Sequence, residues 1–133
     1  MLTALSIQNY ALINQLSINF NSGLSIITGE TGAGKSILLG ALGLVLGNRA
    51  DVSTLKDRSK KCVVEAQLAI SNYNLEAFFH TVDLDYEPNT IIRREILPSG
   101  KSRAFVNDTP VTLSVLNQLK VKLIDVHSQH QTM

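Results

Sequence analysis

The chain has 133 residues, of which 44% are hydrophobic and 17% are charged, a composition that fits one modest globular domain. Its formal net charge of +1 gives no argument for a nucleic-acid or membrane partner, so any such surface has to be local. The single cysteine, Cys62, excludes an intrachain disulfide framework. The longest apolar run, 37–46, is about half the length of a membrane-spanning helix, and no basic segment begins a secretion signal. We expect a cytoplasmic protein without a membrane partner.

The first part of the chain combines short strand patterns with one apolar helix. Alternating or β-branched apolar residues predict strands at 2–7, 16–20 and 24–28. Residues 35–46 are apolar on nearly every side, which predicts an enclosed helix. Gly40 and Gly43 indicate that another element approaches this helix closely, and Gly47 is placed to end it.

The second part contains strands separated by clear turn signals. Strands are predicted at 61–70, 90–97, 102–106 and, as a final buried strand, 121–126. Turns are predicted at 98–101, where the composition is typical of a β-hairpin, and at 107–110. Helices are predicted at 72–82 and, after a candidate cap at Thr112, at 113–119. A parallel strand at the end, with no crossover helix after it, would be an incomplete unit. We therefore expect a fragment of a larger protein.

Residues 29–36 carry the chemistry of a phosphate loop. Their sequence is Gly29-Glu30-Thr31-Gly32-Ala33-Gly34-Lys35-Ser36, and Ile37 continues into the predicted helix. A strand predicted before this pattern and a helix after it provide the context that the mechanism requires. The glycines let backbone N–H groups and the positive end of the helix surround a polyphosphate. Lys35 is expected to contact the β- and γ-phosphates, and the Ser36 hydroxyl to ligate Mg²⁺. The expected ligand is a nucleoside triphosphate, ATP with Mg²⁺.

A second Gly-Lys-Ser sequence does not have this context. Gly100-Lys101-Ser102 lies in the predicted hairpin turn, and no helix is predicted after it. The position that should hold the first glycine is occupied by Glu95. We interpret this tripeptide as turn chemistry, not as a nucleotide site.

Several segments of the chain resemble the bacterial DNA repair family RecN, which is part of the structural-maintenance-of-chromosomes (SMC) class of cassette ATPases. The resemblance covers almost the whole chain and is most specific at its two ends. The matching segments are Ile7-Gln8-Asn9-Tyr10-Ala11-Leu12-Ile13, the loop 29–39, Leu46-Gly47-Asn48-Arg49-Ala50-Asp51, Ile92-Arg93-Arg94-Glu95-Ile96, 100–107 and 123–131.

The resemblance implies a specific fold and machinery. The fold is an α/β P-loop NTPase, the amino-terminal lobe of a cassette-type ATPase with a mixed sheet and an antiparallel β subdomain. Residues 1–133 would form the amino-terminal lobe of a split head domain that ends at the Q-loop. Gln129 would be the Q-loop glutamine, close to Mg²⁺ and the attacking water.

The implied partners follow from the same resemblance. They are the carboxy-terminal lobe of the same chain, a second head in a homodimer, and DNA at the nucleoid during double-strand break repair and recombination. No apolar strand of this sequence ends in an Asp-Glu pair, so we expect negligible hydrolysis of ATP by this chain alone.

Two alternative functions remain open from the sequence. Asp125, at the end of the predicted strand 121–126, could be the Mg²⁺-binding aspartate of a small kinase or GTPase. Alternatively, the chain could be a non-enzymatic DNA-binding or assembly module, because clustered Lys and Arg suffice for sequence-independent DNA binding. The two basic clusters are Arg49, Lys56, Arg58, Lys60 and Lys61, and Arg93, Arg94, Lys101 and Arg103. His127 and His130 lack further metal ligands nearby and are interpreted as polar loop residues.

Overall fold

The computed structural model describes residues 1–20, 32–50 and 52–131, and for 32–33 and 124–131 it describes the backbone alone. The described strands are β1 Leu2–Tyr10, β2 Ile13–Asn19, β3 Cys62–Ala69, β4 Asn89–Ile96, β5 Ser102–Val106 and β6 Thr109–Val111. The described α-helices are α1 Gly32–Val45, α2 Glu76–Thr81 and α3 Leu113–Gln131, and a 3-10 turn covers Val52–Thr54.

The strands form one sheet in the order β2-β1-β3-β4-β5-β6, and each described pair is antiparallel. Side chains along β3 alternate strictly between buried and half-buried positions, as the two-residue period of a strand requires. The inner face is apolar and includes Ile7, Val64, Ile92 and Val106, all fully buried. The opposite, outer face carries polar and charged residues. A hydrophobic core on one side of an antiparallel sheet explains this division.

Helices cover the inner face. α1 contacts β1, β3 and β4 and buries Ala41, Leu44 and Val45. α3 places Leu116, Leu119 and Leu123 in the same core. These leucines lie three and four residues apart, which puts them on one stripe of a helix.

Most sequence predictions for the described elements are confirmed. The strands predicted at 61–70, 90–97 and 102–106 match β3, β4 and β5, and the turn at 98–101 joins β4 to β5. Asn107 and Asp108 both have positive φ, of 49° and 68°, as expected of a two-residue hairpin turn. Thr112 caps α3, because its Oγ1 accepts a hydrogen bond from the backbone N–H of Val115 at 3.3 Å.

The final strand predicted at 121–126 is wrong, because these residues continue α3. The leucine stripe that starts at Leu116 extends to Leu123, and burying it requires the chain to stay helical. The alternative function that used Asp125 as a strand-end aspartate loses its structural basis with this correction. The buried strand predicted at 24–28 lies outside the described residues, so the mixed sheet is not tested; the described strands are all antiparallel.

Candidate phosphate-binding site

The first turn of α1 contains the end of the phosphate-loop sequence. The helix begins at Gly32, and the side chains of Lys35 and Ser36 are exposed in its first two turns. No acidic residue occurs in the first turn of this described helix. Because the N-terminal end of a helix carries a partial positive charge, an exposed start with a lysine and no acidic residue favours an anion. Lys35 and Ser36 are therefore available for phosphate and Mg²⁺.

The middle of α1 is fixed against the sheet by a close approach. A Cβ atom on Gly40 would collide with the hydroxyl oxygen of Tyr10, the last residue of β1. Any larger residue would push α1 away from β1 or displace Tyr10. The prediction that another element approaches this helix closely is confirmed at Gly40.

The C-terminal end of α1 is closed by a glycine turn. Gly47 has a φ of +103°, as predicted for a residue that ends the helix. The N–H of Asn48 donates to the carbonyl oxygen of Gly43 at 3.0 Å, and the N–H of Gly47 donates to that of Leu44 at 3.2 Å. This pair of bonds is a Schellman motif. The glycine turn therefore satisfies the carbonyl groups that the helix end leaves without intrahelical partners.

Arg94, on β4, also contacts this end of α1. It is only 1% exposed, and its Nη1 donates to the carbonyl oxygens of Leu44 at 2.9 Å and Asn48 at 2.7 Å. The sequence did not predict this role, and Arg94 was grouped with the second basic cluster. A signal was present, because Ile92, Arg94 and Ile96 are two residues apart and must share one face of the strand.

Cys62 lies on the same inner face as Arg94 and is fully buried. Burial raises the pKa of its thiol to about 11, because the charged thiolate is poorly solvated there. The cysteine is thus a neutral packing residue and not a nucleophile at ordinary pH.

The other predicted site residues are described only in part. Gly29, Glu30 and Thr31 lie outside the described residues. Gly32 and Ala33 are known as helical backbone, while Gly34 and Ile37 are half-buried. Gln129 belongs to the helical backbone of α3, and its side chain lies outside the description, as do those of His127 and His130. Its approach to Mg²⁺ stays a prediction.

The second Gly-Lys-Ser sequence is the hairpin turn that was predicted. Gly100 has a φ of +93°, and the N–H of Leu97 donates to the carbonyl oxygen of Lys101 at 2.8 Å. Ser102 begins β5 and accepts a hydrogen bond from Nη2 of Arg94 at 3.2 Å. Its interpretation as turn chemistry is confirmed.

The second basic cluster is divided between the two faces of the sheet. Arg94 points inward, whereas Arg93 and Arg103 lie on the outer face beside the carboxylate of Glu95. Arg103 Nη2 is 2.8 Å from Glu95 Oε1, and Arg93 Nε is 3.3 Å from Oε2, although the latter contact lacks hydrogen-bond geometry. These arginines are therefore largely neutralised within the protein.

The first basic cluster includes a loop at 56–61, which we call the basic loop. The buried side chain of Asn9 holds it: Nδ2 donates to the carbonyl oxygens of Asp57 at 2.9 Å and Lys60 at 3.0 Å. Asn9 Oδ1 accepts from the N–H of Asp57 at 2.7 Å. Among the described residues, Arg58 and Lys60 form no ion pair. The basic loop thus presents exposed cations on a fixed backbone.

A hydrogen bond from Ser59 to the carboxylate of Asp57 lowers the pKa of that group. Asp57 therefore keeps its negative charge within the basic loop.

Over the described part of the chain, no helix has the length and apolar character needed to cross a membrane, and no cluster of three or more His, Cys, Asp or Glu residues suited to a metal occurs there.

The sequence is similar to known proteins over nearly its whole length. The sequence profile of the AAA domain family matches residues 4–129. The DNA repair protein RecN of Vibrio cholerae is 43% identical over 131 residues, which cover 98% of this chain and 24% of that protein. RecN of Bacillus subtilis is 36% identical over 132 residues, covering 98% of this chain and 23% of that protein. The chain thus spans about a quarter of the length of these relatives.

Solved structures agree on the fold. A structure from work on ATP-driven dimerization and DNA-stimulated activation of SMC ATPases has a TM-score of 0.71 at 20% identity, covering 92% of this chain and 79% of that one. An SMC head bound to the C-winged helix domain of ScpA has a TM-score of 0.66 at 19% identity, covering 91% and 40%. At such identities the likeness concerns the fold alone. The chain therefore belongs to the AAA domain family, is similar to the RecN DNA repair proteins, and has the fold of an SMC-type ATPase head.

Proposed function

We propose that residues 1–133 form the ATP-binding, amino-terminal lobe of the split head of a RecN-like ATPase that acts on DNA in double-strand break repair and recombination. The observation that carries the proposal is that the phosphate-loop sequence runs into the start of α1, where Lys35 and Ser36 are exposed, and that this helix packs on the sheet in its middle and at its end. Such a helix supplies a fixed positive end for a polyphosphate.

Each residue of the loop has a distinct role in this proposal. The backbone from Gly29 to Gly34 would surround the phosphates with N–H groups, and Ile37 would continue the helix that carries them. Lys35 would contribute its charge to the β- and γ-phosphates, and the Ser36 hydroxyl would hold Mg²⁺. Mg²⁺ would neutralise charge on the phosphates. Gln129 would act near the metal and the attacking water.

The proposed lobe binds ATP without completing hydrolysis. The sequence contains no apolar strand that ends in an Asp-Glu pair to polarise water. We infer that the carboxy-terminal lobe of the longer protein and a second head supply the missing groups. The proposal of a second head is supported by a similar SMC structure, which comes from work on ATP-driven dimerization.

Nucleotide binding by the 133-residue chain tests the proposal. We expect ATP with Mg²⁺ to bind and the Lys35→Ala variant to lose this binding. Lys101→Ala is the matched control, because it removes an exposed lysine from the other Gly-Lys-Ser sequence and should leave affinity unchanged. Equal affinity of Lys35→Ala and the unaltered chain would overturn the site. Hydrolysis of ATP by the chain alone at about 1 per second or faster would contradict the proposal that its catalytic site is incomplete.

DNA is the proposed substrate of the complete protein, and the basic loop is the better candidate for its contact. Its cations Lys56, Arg58 and Lys60 are exposed, whereas Arg93 and Arg103 already face Glu95. Phosphate contacts are electrostatic and need cations that are not neutralised within the protein.

Binding of a 30-base-pair duplex, at several salt concentrations and without nucleotide, tests the basic loop. If the chain binds, replacing Lys56, Arg58 and Lys60 with Ala should lower the salt dependence by roughly one unit of slope for each lost contact. Arg103→Ala is the control and should change the slope less. Strong DNA binding by a Lys35→Ala chain that cannot bind ATP would favour the non-enzymatic module. DNA binding that requires the remainder of the protein would favour the split ATPase.

A further inference from the structure

Arg94 is a buried cation that has no acidic partner among the residues that the structure describes. Its side chain is 1% exposed and is the largest of the fully buried side chains. No carboxylate among the described residues forms an ion pair with it, and its Nε has no described hydrogen-bond partner. Burial lowers the pKa of the guanidinium. Burying a charge in this way is costly, so the structure must contain a compensating group.

The compensating group is the C-terminal end of α1. Nη1 of Arg94 donates to the carbonyl oxygens of Leu44 at 2.9 Å and Asn48 at 2.7 Å. Carbonyl groups at this end of a helix carry a partial negative charge equivalent to about half an electron. The last turn of α1 contains no basic residue, so the cation that balances the helix comes from β4.

This contact connects the sheet to the helix that begins with the phosphate loop. α1 has 14 residues and therefore spans roughly 20 Å from its phosphate end to Arg94. Tyr10 packs closely against the helix at Gly40, and Arg94 holds its end by hydrogen bonds to Leu44 and Asn48. Because the helix is stiff, a contact that holds one end also affects the direction in which its first turn points.

We propose that Arg94 is a positioning residue for nucleotide binding: by holding the C-terminal end of α1 on β4, it sets the orientation of the phosphate-binding turn at the other end. This inference rests on the proposed function and extends it to a residue that touches no phosphate. The carbonyl oxygen of Leu44 already accepts a hydrogen bond from the N–H of Gly47 in the glycine turn. The second bond, from Arg94, therefore serves mainly to hold the end of α1 in position on β4. An apolar side chain of similar size would fill the space without the cost of a buried charge.

The test separates position from stability by using Arg94→Met in the 133-residue chain. Methionine keeps most of the volume and removes both the charge and the donors, so the fold should persist. We expect the affinity for ATP with Mg²⁺ to fall roughly 2- to 30-fold, the range for residues that act on a site from a distance. Arg94→Lys keeps the charge but lacks the planar guanidinium and its fixed set of donors. This variant should bind ATP more tightly than Arg94→Met and less tightly than the unaltered chain.

Phe79→Leu is the control for stability. Phe79 is fully buried and packs edge-to-face against Tyr86 at 5.4 Å between ring centroids, and neither residue belongs to α1 or β4. This variant should lower the denaturation midpoint without changing ATP affinity. Hydrogen exchange gives a readout without nucleotide: in Arg94→Met, the amides of Leu46, Gly47 and Asn48 should exchange faster than in Phe79→Leu.

The outcomes distinguish the two proposals. Lost affinity in Arg94→Met, with Phe79→Leu unchanged and Arg94→Lys intermediate, supports positioning. Unchanged affinity in Arg94→Met overturns it and leaves Arg94 with a structural role only. Failure of the unaltered chain to bind ATP overturns the proposed function, and this inference with it, whatever the exchange rates are.

Discussion

Arg94 and Glu95 are neighbours on β4 that carry opposite charges to opposite faces of the sheet. Arg94 faces the core, where its guanidinium donates to a carbonyl oxygen of α1, to one in the turn after α1 and to the hydroxyl of Ser102. Glu95 faces outward with its side chain 8% exposed, and the cations of Lys61, Arg93 and Arg103 lie within 3.4 Å of it. Both charges are largely removed from water, but they are compensated in different ways.

The difference concerns geometry and solvent. On the outer face, the side chains of Lys61 and Arg103 are 47% and 52% exposed, so water and ions can replace a lost partner. On the inner face, the two carbonyl acceptors belong to the backbone of α1 and of the glycine turn that closes it, so neither can move away without displacing that backbone. Substitutions around Glu95 on the outer face should therefore cost little stability, whereas stability on the inner face depends on the size and the donors of the Arg94 side chain.

The largest expected effect is on the inner face. Arg94→Ala should lower the free energy of unfolding by about 3–5 kcal/mol, because it creates a cavity and leaves the carbonyl oxygen of Asn48 without this donor. Arg94→Met should cost much less, since it keeps the volume. Urea denaturation of both variants measures the difference. Equal losses would mean that the charge, not the packed volume, dominates this face.

A second prediction uses the pH dependence of Cys62 on the same face. Burial raises its pKa from 9.0 to about 11, so the folded state holds the thiol proton more tightly than the unfolded state. The resulting stabilisation is fully present below about pH 9 and is lost as the pH rises towards 11. By this linkage, stability should fall by about 2–3 kcal/mol over that interval.

Cys62→Ala is the matched control for the pH series. Tyr73, whose pKa is raised by burial alone, remains in both proteins and cancels in the difference. The pKa of Tyr10 is raised mainly by burial and to a lesser extent by Cys62, so only its burial contribution cancels. The unaltered chain should therefore lose more stability with pH than the variant. Parallel curves for the two proteins between pH 8 and pH 11 would show that the thiol is solvated in the folded state.

The inner face also shows how far the sequence alone could lead. The strand period predicted β4 correctly, and the same period places Arg94 beside Ile92 and Ile96 on the apolar face. The compensating carbonyl oxygens belong to Leu44 in α1 and Asn48 in the turn after it, 50 and 46 residues away in sequence. A contact between such distant residues has no local pattern, so the role of Arg94 required the structure.

The end of the chain illustrates the opposite case. Residues 121–126 are mostly apolar and include β-branched residues, although Lys122 and Asp125 interrupt them. Such a short segment is compatible with a buried strand and with a buried helix. The leucine spacing that predicts a helix at 113–119 continues through Leu123, and the structure follows this longer pattern. Tertiary burial of one stripe outweighs local β propensity.

The candidate site was predicted mainly from its motif. The spacing of Gly29, Gly34, Lys35 and Ser36 carries its own chemistry, and the described start of α1 agrees with the helix that the motif requires. Asn9 and its hold on the basic loop were not predicted. An asparagine within an alternating strand pattern gives no indication that its side chain bonds to a loop 48 residues away.

The smallest expected effect is on the outer face, where Glu95 and Glu65 provide a matched pair. Both glutamates face Arg93, but the Glu65 contact is 3.8 Å long and its side chain is 42% exposed. Glu95→Gln should lower the free energy of unfolding by about 1–2 kcal/mol, because several partly exposed cations lose one shared carboxylate. Glu65→Gln should cost less than about 0.5 kcal/mol. Urea denaturation at low and high salt measures both, and the Glu95 effect should shrink with salt because ions screen the remaining cations. A salt-independent loss as large as that of Arg94→Ala would contradict the contrast between the faces, since Glu95 would then be as dependent on fixed geometry as Arg94.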